Sequence, residues 1–144
     1  MGIFKRIRQN KKPADPKPIE SFENITLNIS GMRFHSVYEI WMNDDKAEIT
    51  EYNIRFVDKE DKKELEAQVL CDKEEILKLL NDCELSRWDG FVGNHPKDVS
   101  DGIMFTLEAT VNNGQRIYAH GSENFPEHYR DLTDGLRGLL KGKE

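Results

Sequence analysis

The feature that most limits how this chain can fold is a two-residue alternation of apolar and polar side chains that returns along most of its length. Ile25, Leu27 and Ile29 alternate with Asn24, Thr26 and Asn28. In the run Val37 to Met42, Tyr38, Ile40 and Met42 share one face, with Val37 and Trp41 on the other. A third run spans about Ala47 to Val57, and Leu65, Ala67, Val69 and Cys71 alternate as a fourth. Ile103, Phe105, Leu107, Ala109 and Val111 are the most regular set, and Arg116 to His120 follow with Ile117 and Ala119 inward. Period two sends successive side chains to opposite faces of an extended strand, so such a chain must build a sheet with one apolar face. Beyond the first twenty residues only two stretches carry helical spacing: Ile76, Leu77, Leu80 and Cys83, then Tyr129, Leu132, Leu136, Leu139 and Leu140. Short links favour antiparallel pairing. The expected fold is α+β, a mostly antiparallel sheet of about six strands with two helices packed on one face.

The punctuation between these runs supports the same reading. Asn43 to Lys46 is turn chemistry, and Asp58 to Lys63 reads as a charged turn. Asn112-Asn113-Gly114 predicts a two-residue hairpin turn with positive φ. In the third run, Ile49 is out of phase with Tyr52, Ile54 and Phe56, which predicts a bulge or bend near Glu51. Asp72 with Glu75 forms a capping box opening a helix that ends near Leu85. Asn124 with Glu127, and Pro126 between them, predict the start of the last helix; Gly121 predicts a sharp turn before it. Residues 86–102 are left as a long loop rich in Gly, Asp and Pro.

Length and charge bound the rest. A chain of 144 residues makes one domain of ordinary size and buries a core without disulfides. Charge is unevenly placed. Residues 1–18 hold Lys5, Arg6, Arg8, Lys11, Lys12 and Lys17 against Asp15 alone, a net +5. The remainder holds fifteen basic and twenty-six acidic residues, a net −11. An acidic body repels a phosphate backbone, so no nucleic acid is expected as its partner. Cys71 and Cys83 have no metal-ligand spacing and read as small core hydrophobes in a reducing compartment. With no apolar run of membrane-spanning length and no signal-peptide core, the expected location is cytoplasmic.

The N-terminal residues form a separate unit. Pro13, Pro16 and Pro18 favour extended backbone and mark about 10–20 as a linker, so the domain is expected over 21–144 behind an arm of residues 1–20. Within the arm, Ile3, Phe4 and Ile7 share one helical face, while Lys5, Arg6 and Arg8 crowd the rest. That pattern suits shallow contact with an anionic membrane surface through residues 1–12, at the inner face of the membrane. The alternative is a solvated tail.

The stretches RWDGFVG and VSDGIMFTLEATVNNGQRIYAHGSENFPEHYRDL resemble a family of small uncharacterised proteins of Gram-positive, clostridia-like bacteria. The shared pattern is W-D-G, then D-G, a hairpin, and G-x-x-N-x-P-x-x-Y, and it covers Trp88 to Leu132. The resemblance implies a bacterial source and a strand–hairpin–helix unit, with no activity attached.

Candidate functional residues fall in two places. Trp88, Asp89, His95 and Asp98 lie in the long loop; Tyr118 and His120 lie on the outward side of the last strand. Loops of this length in a compact domain often carry function, and exposed aromatics are common at interfaces. Trp88, Asp89, His95, Tyr118 and His120, with Tyr38 on the same sheet face, are therefore the expected surface of a non-enzymatic interaction module with a protein partner. A metal-dependent or acid–base enzyme using His95, Asp98, His120 and His128 is the competing reading, with Glu123 and Glu127 as further metal ligands. Nothing in the sequence calls for a cofactor or a metal: the histidines and acids match no closed ligand spacing, and glycine-rich phosphate loops are missing.

Overall fold

The computed structural model describes residues 17–100 and 102–142; the arm residues Ile3, Phe4, Lys5, Arg6, Ile7 and Arg8 lie outside the described residues. The architecture is α+β. Strands β1 (Phe22–Gly31), β2 (Phe34–Asn43), β3 (Lys46–Val57) and β4 (Glu60–Asp72) form a meander. Helix α1 (Lys73–Asp82), a short 3₁₀ turn (Leu85–Trp88) and β5 (Val92–Gly93) follow, then the hairpin β6 (Met104–Val111) and β7 (Gln115–Ser122), and finally α2 (Tyr129–Gly142). The sheet has seven strands in the order β4-β3-β2-β1-β6-β7-β5. Every neighbouring pair is antiparallel except β5 with β7. The extra strand is β5, two residues drawn from the segment expected to be loop.

The alternation sorts side chains as the sequence demands. Ile25, Leu27, Ile29, Ile40, Ile49, Leu107, Ala109, Ile117 and Ala119 are buried on the face that α1 and α2 cover. Burying each large aliphatic stabilises the fold by roughly 1.5–3 kcal/mol. The helices add Ile76, Leu80, Leu132 and Leu136 to the same core. The Glu75 carboxylate accepts the Asp72 N–H at 3.2 Å, so the expected capping box forms. Gly135 lets the helices approach: a Cβ there would meet the Leu79 side chain at 2.5 Å. Cys71 and Cys83 are both buried.

Several local expectations are corrected. The bulge expected near Glu51 does fall there in the β3–β4 ladder, but the extra residue is on β4: Glu51 pairs with Ala67 and Tyr52 with Leu65, leaving Glu66 over. The alternation of β3 is unbroken, so Tyr52, Ile54 and Phe56 project to the face the helices leave open. The turn after β3 is only Asp58-Lys59, both at positive φ, and the charged residues from Glu60 onward are strand. The β6–β7 connection has three residues; Asn112 and Asn113 take positive φ as in a primed turn, and Gly114 is the added one. Helix α1 stops at Asp82, earlier than expected, because Glu84 enters the left-handed region at φ 53°. Helix α2 starts at Tyr129 instead of near Asn124. His128 at φ 69° breaks the chain just before it, and the first helical bond runs from Leu132 N–H to the His128 carbonyl at 3.0 Å. Residues 17–20, assigned to the linker, pack into the domain. Ile19 is 2% exposed, and both its backbone groups bond the Asn81 side chain, at 2.8 and 3.0 Å. Among the described residues no helix is long and apolar enough to cross a membrane.

Candidate functional site

The long loop is zipped along β7. Asp89 Oδ1 accepts the Tyr118 N–H at 3.0 Å, and the Gly90 N–H returns a bond to the Tyr118 carbonyl at 2.9 Å. The His120 N–H then bonds the Phe91 carbonyl at 3.1 Å, and Val92 and Gly93 pair with His120 and Gly121. His95 Nδ1 lies 2.7 Å from Ser122 Oγ, and its Nε2 bonds the Val99 carbonyl. The loop thus satisfies the edge of β7, which would otherwise present a row of unpaired backbone groups. Gly93 and Gly121 make this seam: a Cβ at either would collide with the Asn124 carbonyl oxygen. Gly121 serves a close approach, not the sharp turn read from the sequence.

Trp88 anchors the loop from beneath. It is 2% exposed, stacks on Tyr129 at 6.2 Å between centroids and meets Phe105 edge-on at 6.3 Å. Its indole therefore offers no surface to a partner, which corrects its place among the expected contact residues. Tyr38 is corrected too. It is 1% exposed on the helix-covered face, where its hydroxyl accepts from Arg137 Nε at 3.1 Å and donates to Glu51 at 3.3 Å. Tyr118 and His120 lie on the opposite face, their rings 5.5 Å apart. The structure brings Asp89, His95, Tyr118 and His120 together along β7. The histidine set of the enzyme reading is divided. His95 takes Ser122 and Val99 as partners, while His128 lies across the sheet and bonds Asp131 at 3.0 Å. That bond, before any other influence, raises the His128 pKa above its ordinary value.

The open face of the sheet forms a continuous surface. In one cross-strand row stand Thr50, Glu39, Thr26, Glu108 and Tyr118; in the next stand Glu48, Trp41, Asn24, Thr110 and Arg116. Trp41 is 46% and Tyr118 47% exposed, and Leu65, Leu70, Met104 and Val92 are exposed on the same face. Strands about 4.8 Å apart put Glu39 and Glu108, two strands from each other, roughly 10 Å apart. One basic side chain already sits on this face. Lys63 Nζ lies 4.0 Å over the Tyr52 ring and 3.3 Å from Glu39 Oε2. An ammonium held between an aromatic face and a carboxylate gains from both. The phase of Trp41, opposite to Tyr38 and Ile40, is the sequence signal that places it on this face.

On the other side, a groove of about 630 Å³ runs between α2 and the ends of β1 and β2, lined by Ile29, Phe34, Phe125, Tyr129, Arg130 and Arg137 among others. Burial pushes the Tyr129 phenol up to about 12 and raises that of Tyr38, so both stay protonated at neutral pH. Among the described residues, Glu84, Glu127 and His128 are the donor group compact enough to hold a metal ion.

The chain matches no protein-family model, no curated protein and no solved structure.

Proposed function

We propose that this chain is a non-enzymatic interaction module whose open sheet face docks a basic, Lys- or Arg-bearing segment of a protein partner. The observation that carries the reading is the Lys63 seat between the Tyr52 ring and the Glu39 carboxylate. The same two elements recur across the face: half-exposed aromatics at Trp41 and Tyr118, and carboxylates at Glu39, Glu48 and Glu108. The acidic balance of the chain beyond residue 18 steers a basic partner toward it. The likeness of residues 88–132 to a bacterial family is part of the same proposal and adds no activity to it.

The test uses a Lys/Arg-rich peptide and its Glu-substituted counterpart, titrated into the full chain at two salt concentrations. Saturable binding of the basic peptide alone is expected, weakened by salt and at least ten-fold weaker in Trp41→Ala and in Glu39→Gln. Absence of saturable binding, or binding that both variants retain, overturns the proposal.

A second reading rests on the arm. The shared face of Ile3, Phe4 and Ile7 with Lys5, Arg6 and Arg8 around it favours peripheral attachment to an anionic membrane. Flotation of the full chain, but not of a chain beginning at Lys17, on anionic liposomes supports it; flotation of neither removes it.

A further inference from the structure

Glu84, Glu127 and His128 come from two separate parts of the chain. Glu84 lies between α1 and the Leu85–Trp88 turn, and the other two immediately precede α2. One ligand atom from each lies within 4.8 Å of the others. The three line a cavity of about 240 Å³ whose wall includes Trp88. The indole N–H of Trp88, a residue 2% exposed, has no acceptor among the described residues. That nitrogen is closed off from water as well, so it lies in the packed core and takes no part in the cavity.

The imidazole is oriented as metal ligands are. Nδ1 of His128 lies 3.0 Å from Asp131 Oδ2; donation there holds the ring, and binding an ion through Nε2 is the arrangement that keeps this bond. Arg87 Nε holds Glu84 Oε1 at 2.9 Å, which leaves Glu84 Oε2 for coordination and moderates the affinity. Ligand atoms around a tetrahedral zinc ion sit roughly 3.4 Å apart, so the three side chains must draw together to close onto it. Two carboxylate oxygens and one imidazole nitrogen are a donor set zinc accepts with one position left open.

We propose that Glu84, Glu127 and His128 form a divalent-cation site for which zinc is the best-fitting ion, with Asp131 orienting the imidazole and water completing the shell. The site lies on the helix side of the sheet and is independent of the open face.

The test is calorimetric titration of the full chain with Zn²⁺, repeated with Co²⁺ to read its visible absorption. One saturable ion per chain is expected. Glu84→Gln, Glu127→Gln and His128→Asn should each weaken binding at least ten-fold, and Asp131→Asn about ten-fold. Glu60→Gln, an exposed acid elsewhere, should leave it unchanged. Asparagine tolerates the positive φ of His128, and Glu127→Gln alters only an exposed side chain, so the comparison stands on folded protein. Lack of saturable zinc binding up to millimolar concentration overturns the site. So does binding that Glu127→Gln and His128→Asn together retain, which would assign the ion to His35, His95 or His120.

Discussion

The two faces of the sheet are built from the same strands yet obey different rules. The centre of the covered face is apolar, and Ile40, Ala47, Ile49, Leu107, Val111 and Ala119 are each fully buried there, while Tyr38 and Glu51 add a hydrogen-bonded polar pair toward its edge. The open face mixes Thr and Asn with half-exposed Trp41 and Tyr118 and with Glu39, Glu48 and Glu108. A stretch of sheet that only needed solvent would carry polar groups alone. Large half-exposed aromatics beside carboxylates are a composition common at interfaces, and it is this that supports the recognition we propose. Stability is concentrated on one face, and recognition is the reading we propose for the other.

The contrast is broken most forcefully from the core. Leu107→Ala should lower unfolding stability by about 2–5 kcal/mol in a urea melt, because Leu107 sits at the sheet centre with no room to collapse. If the loss is under about 1 kcal/mol, the covered face is not the source of stability.

The pH dependence comes next. Burial first, with Asp131 and Asp82 adding to it, pushes the Cys83 thiol to about 11 from 9.0, and burial takes Tyr129 to about 12 from 10.0. Both folded pKa values lie above the unfolded ones. Their contribution is therefore complete below pH 9 and is lost as the unfolded groups ionise first, between about pH 9 and 12. A ten-fold difference in acidity between the folded and unfolded chain corresponds to about 1.4 kcal/mol. Urea midpoints should fall across that window, and Cys83→Ala should flatten the part of the fall nearest pH 9; an unchanged curve contradicts the burial.

The loop seam sharpens the comparison further. Gly121→Ala forces a collision at the Asn124 carbonyl and should cost about 1–3 kcal/mol. Asp89→Ala removes the acceptor of the Tyr118 N–H and should cost about 1 kcal/mol, with faster hydrogen exchange at the Tyr118 amide. Smallest is Trp41→Ala, expected within about 0.5 kcal/mol of the parent while weakening peptide binding at least ten-fold. A larger loss of stability would make Trp41 a structural residue and weaken the proposed division.

How far the sequence foretold this depends on whether a feature is local. The phase of each strand was legible, so Ile25, Leu27, Ile40 and Ile117 were placed inward correctly, and the capping box at Asp72 forms as read. The relation between strands was not. Tyr38 and Tyr118 sit on opposite faces because β2 reaches β7 through β1 and β6, and register across four strands is a tertiary fact. The two-residue β5 escaped because a pair so short carries no periodicity; backbone pairing to β7 makes it. Trp88 looked like a loop residue in a polar run, and only the stack on Tyr129, forty-one positions later, puts it in the core. The start of α2 was misplaced because positive φ at Glu123 and His128, neither a glycine, has no composition signal. The donor group at Glu84, Glu127 and His128 was out of reach for a related reason: Glu84 meets the others only through folding.

The central claim is that the open face is the recognition surface. The most direct measurement is an amide and indole nuclear magnetic resonance map of the full chain during titration with the Lys/Arg-rich peptide. The account predicts shifts at the Trp41 indole and along Glu39, Glu108 and Tyr118, with α2 and its groove unmoved. Shifts centred on Arg130, Thr133 and Arg137, with the Trp41 indole unchanged, would contradict it.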